Sequence, residues 1–175
     1  MPQRDLINAC IANDRLAQRR LYEQYKRAMY TIAYRITGDF EIAAEALQDA
    51  FLQVFRHLKD FEGKSTLGAW IKTIVIRTAI RKSERRPMAY DDLQTVPEVG
   101  QVDWGTRAIE AEYLEKAILA LPEGYRQVFV LAEIEGYKHH EIGDMLGISE
   151  GTSKSQLFNA KKRLREMLVD ADAGY

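Results

Sequence analysis

A run of twenty residues, Pro87 to Thr106, reading PMAYDDLQTVPEVGQVDWGT, interrupts this chain near its middle. It holds two prolines and two glycines and has no sustained apolar period, so it reads as a linker rather than a helix or strand. On both sides of it, apolar residues recur at intervals of three and four. The chain is therefore expected to be all-α, with two small helical domains joined by a flexible acidic linker. Fully extended, the linker reaches roughly 65 to 70 Å at about 3.3 to 3.6 Å per residue. That is nearly two turns of B-DNA at about 34 to 36 Å each.

The first helical block should run from about Asp5 to Arg86. Leu21, Tyr25, Ala28, Ile32 and Ile36 mark the inner face of a long helix that ends at Gly38. Asp39 can cap the next helix, whose inner face holds Ala43, Leu47, Ala50, Phe51, Val54 and Leu58. The loop FEGKST leads to another, with Leu67, Trp70, Ile71, Ile74 and Val75 turned inward. The β-branched residues between Ile71 and Ile76 would suit a short strand in isolation, but helix-favouring neighbours predict a helix. After the linker about four helices are expected. Leu114, Ile118 and Leu121 give one, Pro122 starts the next, and Val128, Val130 and Leu131 form its core face before a break at Gly136.

The last two helices, within KHHEIGDMLGISEGTSKSQLFNAKKRLREML from Lys138 to Leu168, have the pattern of a helix-turn-helix. The first should bury Ile142, Met145 and Leu146, with Gly147 ending it in a positive φ and Ile148 filling the corner. Ser149 should cap the second, with Glu150 at the positive end of its dipole. Leu157, Ala160, Leu164 and Leu168 form the inner stripe of that second helix. Lys154, Ser155, Gln156, Asn159, Lys161, Lys162, Arg163 and Arg165 lie largely away from it. Polar donors at the start of a helix with cations behind them suit entry into a major groove beside phosphates.

A net charge of −1 is unexpected for a nucleic-acid binder, and its distribution resolves the difficulty. Between Ile71 and Arg86 lie six basic residues, Lys72, Arg77, Arg81, Lys82, Arg85 and Arg86, against one acid, Glu84. From Ala89 to Glu123 the sign reverses, with eight acids against Arg107 and Lys116. Two basic surfaces are thus separated by an acidic connector that hides them in the total.

Other classes fit poorly. No apolar run approaches the roughly 18 residues of a membrane span, and MPQRDLINAC lacks the apolar core of a signal peptide. No membrane insertion is expected. One cysteine, Cys10, excludes an intrachain disulfide and fits the cytoplasm, where it reads as a small buried apolar residue. His139, His140 and Glu141 are adjacent and diverge on a helix, unlike the histidines of a zinc protease, and neither a phosphate-cradling glycine loop nor a nucleophile elbow is present. No enzymatic activity, metal or cofactor is expected.

With these features together, the chain resembles the extracytoplasmic-function group of sigma factors, small members of the sigma-70 family that direct RNA polymerase to promoters. EIAAEALQDAFLQVF is similar to a helix of the family's region 2, and FEGKSTLGAWIKTIVIRTAIRKSERR to the melting segment that follows it. LPEGYRQVFVLAEIEGYKHHEIGDMLGISEGTSKSQLFNAKKRLR resembles region 4. The resemblance implies a region 2 domain over 1–88 that binds the core polymerase and recognises and melts the downstream promoter element. A linker spans 89–106, and a region 4 domain over 107–170 recognises the upstream element.

Specific residues acquire roles in the same way. Glu41, Glu45, Gln48, Asp49 and Gln53 share one side of a helix and would dock on the clamp helices of the polymerase's largest subunit, with the polymerase flap a further contact of the factor. Phe61, Lys64, Ser65 and Thr66 correspond to the loop that captures a flipped base, while core packing is the stronger reading for Trp70. Arg77, Arg81, Lys82 and Arg85 would hold phosphates. On the helix-turn-helix, Lys154, Ser155, Gln156 and Asn159 would read the upstream element. Phe158 would lie near the backbone, with Lys161 and Lys162 on phosphate.

Several positions depart from the family pattern. Gln156 and Asn159 stand where arginine is common, and since Gln and Asn pair with adenine edges, they imply important A·T pairs. Ser153 replaces a valine, Lys138 replaces the usual Ser or Thr cap, and Arg77 and Arg81 stand where Asn and Asp are common. An anti-sigma factor is the implied regulatory partner. The acidic linker, through Asp91, Asp92, Glu98 and Asp103, is also expected to fold back on the basic helices. The competing reading is a stand-alone helix-turn-helix regulator that binds DNA as a dimer.

Overall fold

The computed structural model describes residues 2–84 and 107–172, with side chains of the second range placed for 111–169. Arg85, Arg86, the expected linker and its four acids lie outside the described residues. The chain divides into two compact units, Met1–Arg85 and Arg86–Tyr175. The described residues are helical with no strand, as expected.

The first unit contains α1 (Gln3–Ile11), α2 (Arg15–Thr37), α3 (Phe40–His57) and α4 (Leu67–Glu84). Helix α1 buries Leu6 and Cys10 against the others. Asp14 caps α2, its Oδ1 accepting from the amides of Leu16 at 2.9 Å and Ala17 at 3.3 Å. Helices α2, α3 and α4 pack pairwise around one core. On α2, Leu21, Ile32 and Ile36 are buried as expected, and Tyr25 is half-buried. Ala28 is exposed and its neighbour Met29 is buried instead. Ala28 and Met29 differ by about 100° of rotation, and at this turn the core takes Met29 while the stripe through Leu21, Ile32 and Ile36 stays buried.

Helix α2 ends at Gly38, φ 67°, and Asp39 caps α3 by accepting from Glu41 at 2.9 Å and Ile42 at 3.0 Å. Every expected core residue from Ala43 to Leu58 is buried, joined by Ala46. A 3-10 turn, Leu58–Asp60, carries the chain into the loop before α4. Helix α4 buries Leu67, Ile71 and Val75 completely or nearly so, and leaves Trp70 and Ile74 half-buried. The β-branched segment is helical, and the helix that carries it packs on both α2 and α3. A fully buried Leu or Ile of this kind contributes about 1.5–3 kcal/mol.

The second unit contains α5 (Arg107–Ala120), α6 (Glu123–Phe129), α7 (His139–Leu146) and α8 (Glu150–Asp172). Tyr113, Ala117, Ile118 and Leu121 are buried, while Leu114 is 41% exposed. Ile118 and Leu121 thus face inward as expected, and Tyr113 takes the core place expected of Leu114, its hydroxyl donating to the Met167 carbonyl on α8 at 3.1 Å. Pro122 stands just ahead of α6 as its extended cap residue rather than as its first helical residue. After Phe129 the backbone widens into a π turn, Val130–Ile134, in which the Glu135 amide donates to the Val130 carbonyl at 3.0 Å. Val128, Val130 and Leu131 are all buried.

Candidate nucleic-acid interface

The corner between α7 and α8 is built from local chemistry. Gly147 ends α7 with φ 69°, and the Ile148 amide returns to the Gly143 carbonyl at 3.0 Å. Gly143 itself is held to glycine by crowding, since a Cβ there would sit 2.6 Å from the Ile148 carbonyl oxygen. Only Ile142 of the three expected side chains on α7 is fully buried; Met145 and Leu146 are half-buried, as is Ile148. The close approach at Gly143 supplies contact that larger side chains would otherwise provide. At the start of α7, Lys138 offers no side-chain acceptor, and the Glu141 carboxylate compensates by accepting from the Lys138 amide at 2.8 Å.

Ser149 caps α8, its Oγ accepting from the Thr152 amide at 3.0 Å and donating to the Thr152 hydroxyl at 2.8 Å. One further tie was not foreseen from sequence. Ser153 is completely buried, and its Oγ lies 2.8 Å from Nδ1 of His139 on α7. This pair pins the two helices to each other, so His139 has a structural partner. Ser153 extends the inner stripe of α8, where Ala160 and Leu164 are buried and Leu157 and Leu168 are half-buried.

The outer side of α8 exposes Lys154, Ser155, Phe158 and Lys162, with Phe158 68% open. Lys154 pairs with Glu150 at 3.6 Å, and the Ser155 hydroxyl donates to the Gly151 carbonyl at 3.1 Å. Lys161 pairs with Glu133 at 2.7 Å, which commits that cation within the unit. Asn159 is half-buried. Gln156 departs from its expected outward position: it is half-buried, and its Oε1 is fully covered, without a hydrogen-bond partner, beside Gly124 near the start of α6. It lies at the flank of the inner stripe, and the small Gly124 leaves room for its amide there.

In the first unit the loop before α4 presents Lys64, Ser65 and Thr66 to solvent, with Lys64 paired to Glu62. The Thr66 Oγ1 accepts from the Ala69 amide at 3.1 Å and so caps α4. Phe61 and Trp70 are both half-buried and pack on each other at a ring-centroid distance of 5.5 Å. Arg77 and Arg81 are exposed on α4.

Residues assigned to separate surfaces meet between α3 and α4. Lys82 Nζ lies 2.7 Å from Asp49 and 3.8 Å from Glu45. Arg81 Nη2 donates to Gln53 Oε1 at 3.4 Å, and Gln53 Nε2 donates to the Thr78 hydroxyl at 3.4 Å. Asp49, Gln53, Thr78, Arg81 and Lys82 line a small polar cleft there. Glu41, Glu45 and Gln48 face solvent on α3. Leu52, 64% exposed in the same stretch, was missed from sequence, where only polar residues marked that side. Among the described residues, His, Cys, Asp and Glu do not gather into a group able to hold a metal ion.

Family models match both units: that of sigma-70 region 2 covers residues 21–86, and that of sigma-70 region 4 covers residues 111–164. The extracytoplasmic-function (ECF) RNA polymerase sigma factor SigM of Mycobacterium tuberculosis is 29% identical over 174 residues, spanning 97% of this chain and 86% of the relative. The chain belongs to the sigma-70 family, in its extracytoplasmic-function group. SigW of Bacillus subtilis, also an ECF sigma factor, is 26% identical over 160 residues, spanning 83% of this chain and 86% of its own. Among solved structures, the sigma factor RpoE of Bartonella quintana, crystallised with the anti-sigma factor NepR, shares the fold with a TM-score of 0.56. It is 22% identical, over 86% of this chain and 95% of its own. CnrH, solved with the cytosolic domain of CnrY, has a TM-score of 0.54 at 21% identity, over 98% of each chain. This sigma-70 protein therefore functions as an RNA polymerase sigma factor. Its region 2 match contains the whole of α3 and α4, and its region 4 match contains the whole of α6 and α7. Among the described residues, no helix is long and apolar enough to cross a membrane.

Proposed function

We propose that this sigma factor acts in the cytoplasm, without catalytic activity of its own, by binding core RNA polymerase through α3 and gripping promoter DNA at two points. Residues 1–88 form the polymerase-binding and strand-opening domain, 89–106 the linker, and 107–170 the domain that reads the upstream element. Supporting this most directly is the order of the two matched regions on two separate compact units. The exposed group Lys154, Ser155, Phe158 and Lys162 on a capped helix fits major-groove entry. The exposed loop Lys64, Ser65 and Thr66 fits capture of an unstacked base, with Arg77 and Arg81 near its phosphates. The acidic side of α3 fits docking on the polymerase clamp. An anti-sigma factor is a further proposed partner, on the likeness to RpoE, which was solved with one.

The stand-alone dimeric regulator has no observation in its favour. Run-off transcription with purified core polymerase, followed by mapping of start sites, tests the proposal. Promoter-specific transcripts that require the added chain are expected. A chain that footprints a palindrome unaided as a dimer, and adds no specificity to core enzyme, overturns it.

A further inference from the structure

Helix α3 turns two adjacent rows of side chains outward, each row spaced by four residues. One is Glu41, Glu45, Asp49 and Gln53, the first two exposed and the last two half-buried. The other is Phe40, Ala44, Gln48 and Leu52, all exposed, with Phe40 and Leu52 each 64% open. Rows with this spacing are the ridges that fit the grooves of a neighbouring helix. The second row ends in a large apolar side chain at both extremes, and one of those ends is braced from behind by stacked rings.

That end is Phe40. Its ring stacks on Tyr34, with centroids 4.3 Å apart and planes 10° from parallel. Tyr34 in turn lies parallel to Tyr30 at 6.3 Å and 1°, and the Tyr30 hydroxyl donates to the Phe40 carbonyl at 3.4 Å. Three rings thus form a ladder from the later turns of α2 to the first turn of α3. An aromatic ring held in this way has little freedom left to lose on binding, and rigid aromatic side chains dominate the energetics of protein interfaces. The stacking covers one face of Phe40 and leaves the rest in water.

We propose that Phe40, braced by Tyr34 and Tyr30, is an aromatic anchor that extends the polymerase-docking face of α3 and packs against a helix of the core enzyme. The inference rests on the reading that the acidic row of α3 docks on polymerase. Core polymerase is the occupant because the two rows are continuous: Phe40 precedes Glu41 directly and heads a ridge that runs beside the acidic row for about 18 Å of helix. The matching surface is a helical ridge, apolar against Phe40 and Leu52 and cationic against Glu41 and Glu45.

The full chain, labelled with a fluorophore, is titrated with sigma-free core polymerase below the melting temperature of every variant. Phe40→Ala is expected to weaken binding about tenfold, Phe40→Tyr to keep it, and Glu45→Arg to weaken it as well. Loss with Glu45→Arg and none with Phe40→Ala overturns the anchor and leaves the acidic face standing. No loss with either overturns both. A photoreactive phenylalanine analogue at position 40 tests the same contact without removing the ring. A cross-link to core polymerase supports the anchor. A cross-link only to a second copy of this chain, or none at position 40 while position 48 cross-links to polymerase, overturns it.

Discussion

The Lys82 ammonium lies 2.7 Å from a carboxylate oxygen of Asp49, so a cation expected on DNA is held by an acid expected on polymerase. Lys82 is 26% exposed and Asp49 47%, a setting in which an ion pair contributes about 1 kcal/mol or less. Asp49→Asn should therefore leave Lys82 only its longer contact to Glu45 and raise the affinity of the free chain for single-stranded DNA at low salt by up to about fivefold. Fluorescence anisotropy checks this, with two controls: the gain should vanish in Lys82→Ala and fade as salt is added. Equal affinity for Asp49→Asn and the native chain at low salt would show that the pair does not restrain Lys82.

Gln156 turns its amide oxygen into a covered position beside Gly124, which removes it from the exposed side of α8. Gln156→Ala should leave binding to the upstream element within about twofold of native, a change of roughly 0.4 kcal/mol. Lys162→Ala, on the exposed side, should weaken binding to all sequences alike and reduce the salt slope by about 0.9. Holoenzyme titrations against a mapped promoter and its A·T substitutions measure both. A tenfold loss for Gln156→Ala at a single A·T pair would restore direct reading by that residue.

Ser153 and His139 hold α8 to α7 through a contact of 2.8 Å, with the serine wholly buried. Ser153→Ala and His139→Ala should each destabilise the chain by about 1 kcal/mol, with the double variant costing little more than either alone. Denaturant unfolding of the four proteins supplies the cycle. Additive losses would mean that the two side chains contribute separately and that the contact is incidental.

Burial raises the Cys10 thiol above its ordinary value of 9.0, with the Asp14 carboxylate adding to the effect. The folded state thus favours the neutral thiol. Its contribution to stability is complete below the ordinary value and is lost as pH rises through the higher folded-state value. Alkylation at pH 8 should be slow in the native chain and fast in denaturant, and Cys10→Ser should flatten the decline in stability above about pH 9. Fast native labelling would place the thiol at the surface.

What was legible in the sequence was chemistry acting over four residues or fewer. Asp39 capping α3, Ser149 capping α8, and the positive φ at Gly38 and Gly147 all follow from side-chain oxygens and missing Cβ atoms within one turn. The core of α3 was legible because it buries one steady stripe. Ala28 and Leu114 were misplaced because neighbouring residues differ by only about 100° of rotation, and the choice between them is made by whichever helix lies opposite. The candidate sites were legible as types of residue, not as partners. Lys82 with Asp49, Lys161 with Glu133 and His139 with Ser153 each join separate helices or turns, so no local spacing announces them.

The hydrogen bond from Tyr113 on α5 to Met167 near the end of α8 joins the first described helix of the second unit to the last described one. On the ribosome, the described helices α1 to α4 have all their mutual partners available once residue 84 has emerged. The second unit has no such early stopping point. Tyr113 waits for a carbonyl 54 residues later, so α8 gains this tie to α5 only once residue 167 has emerged.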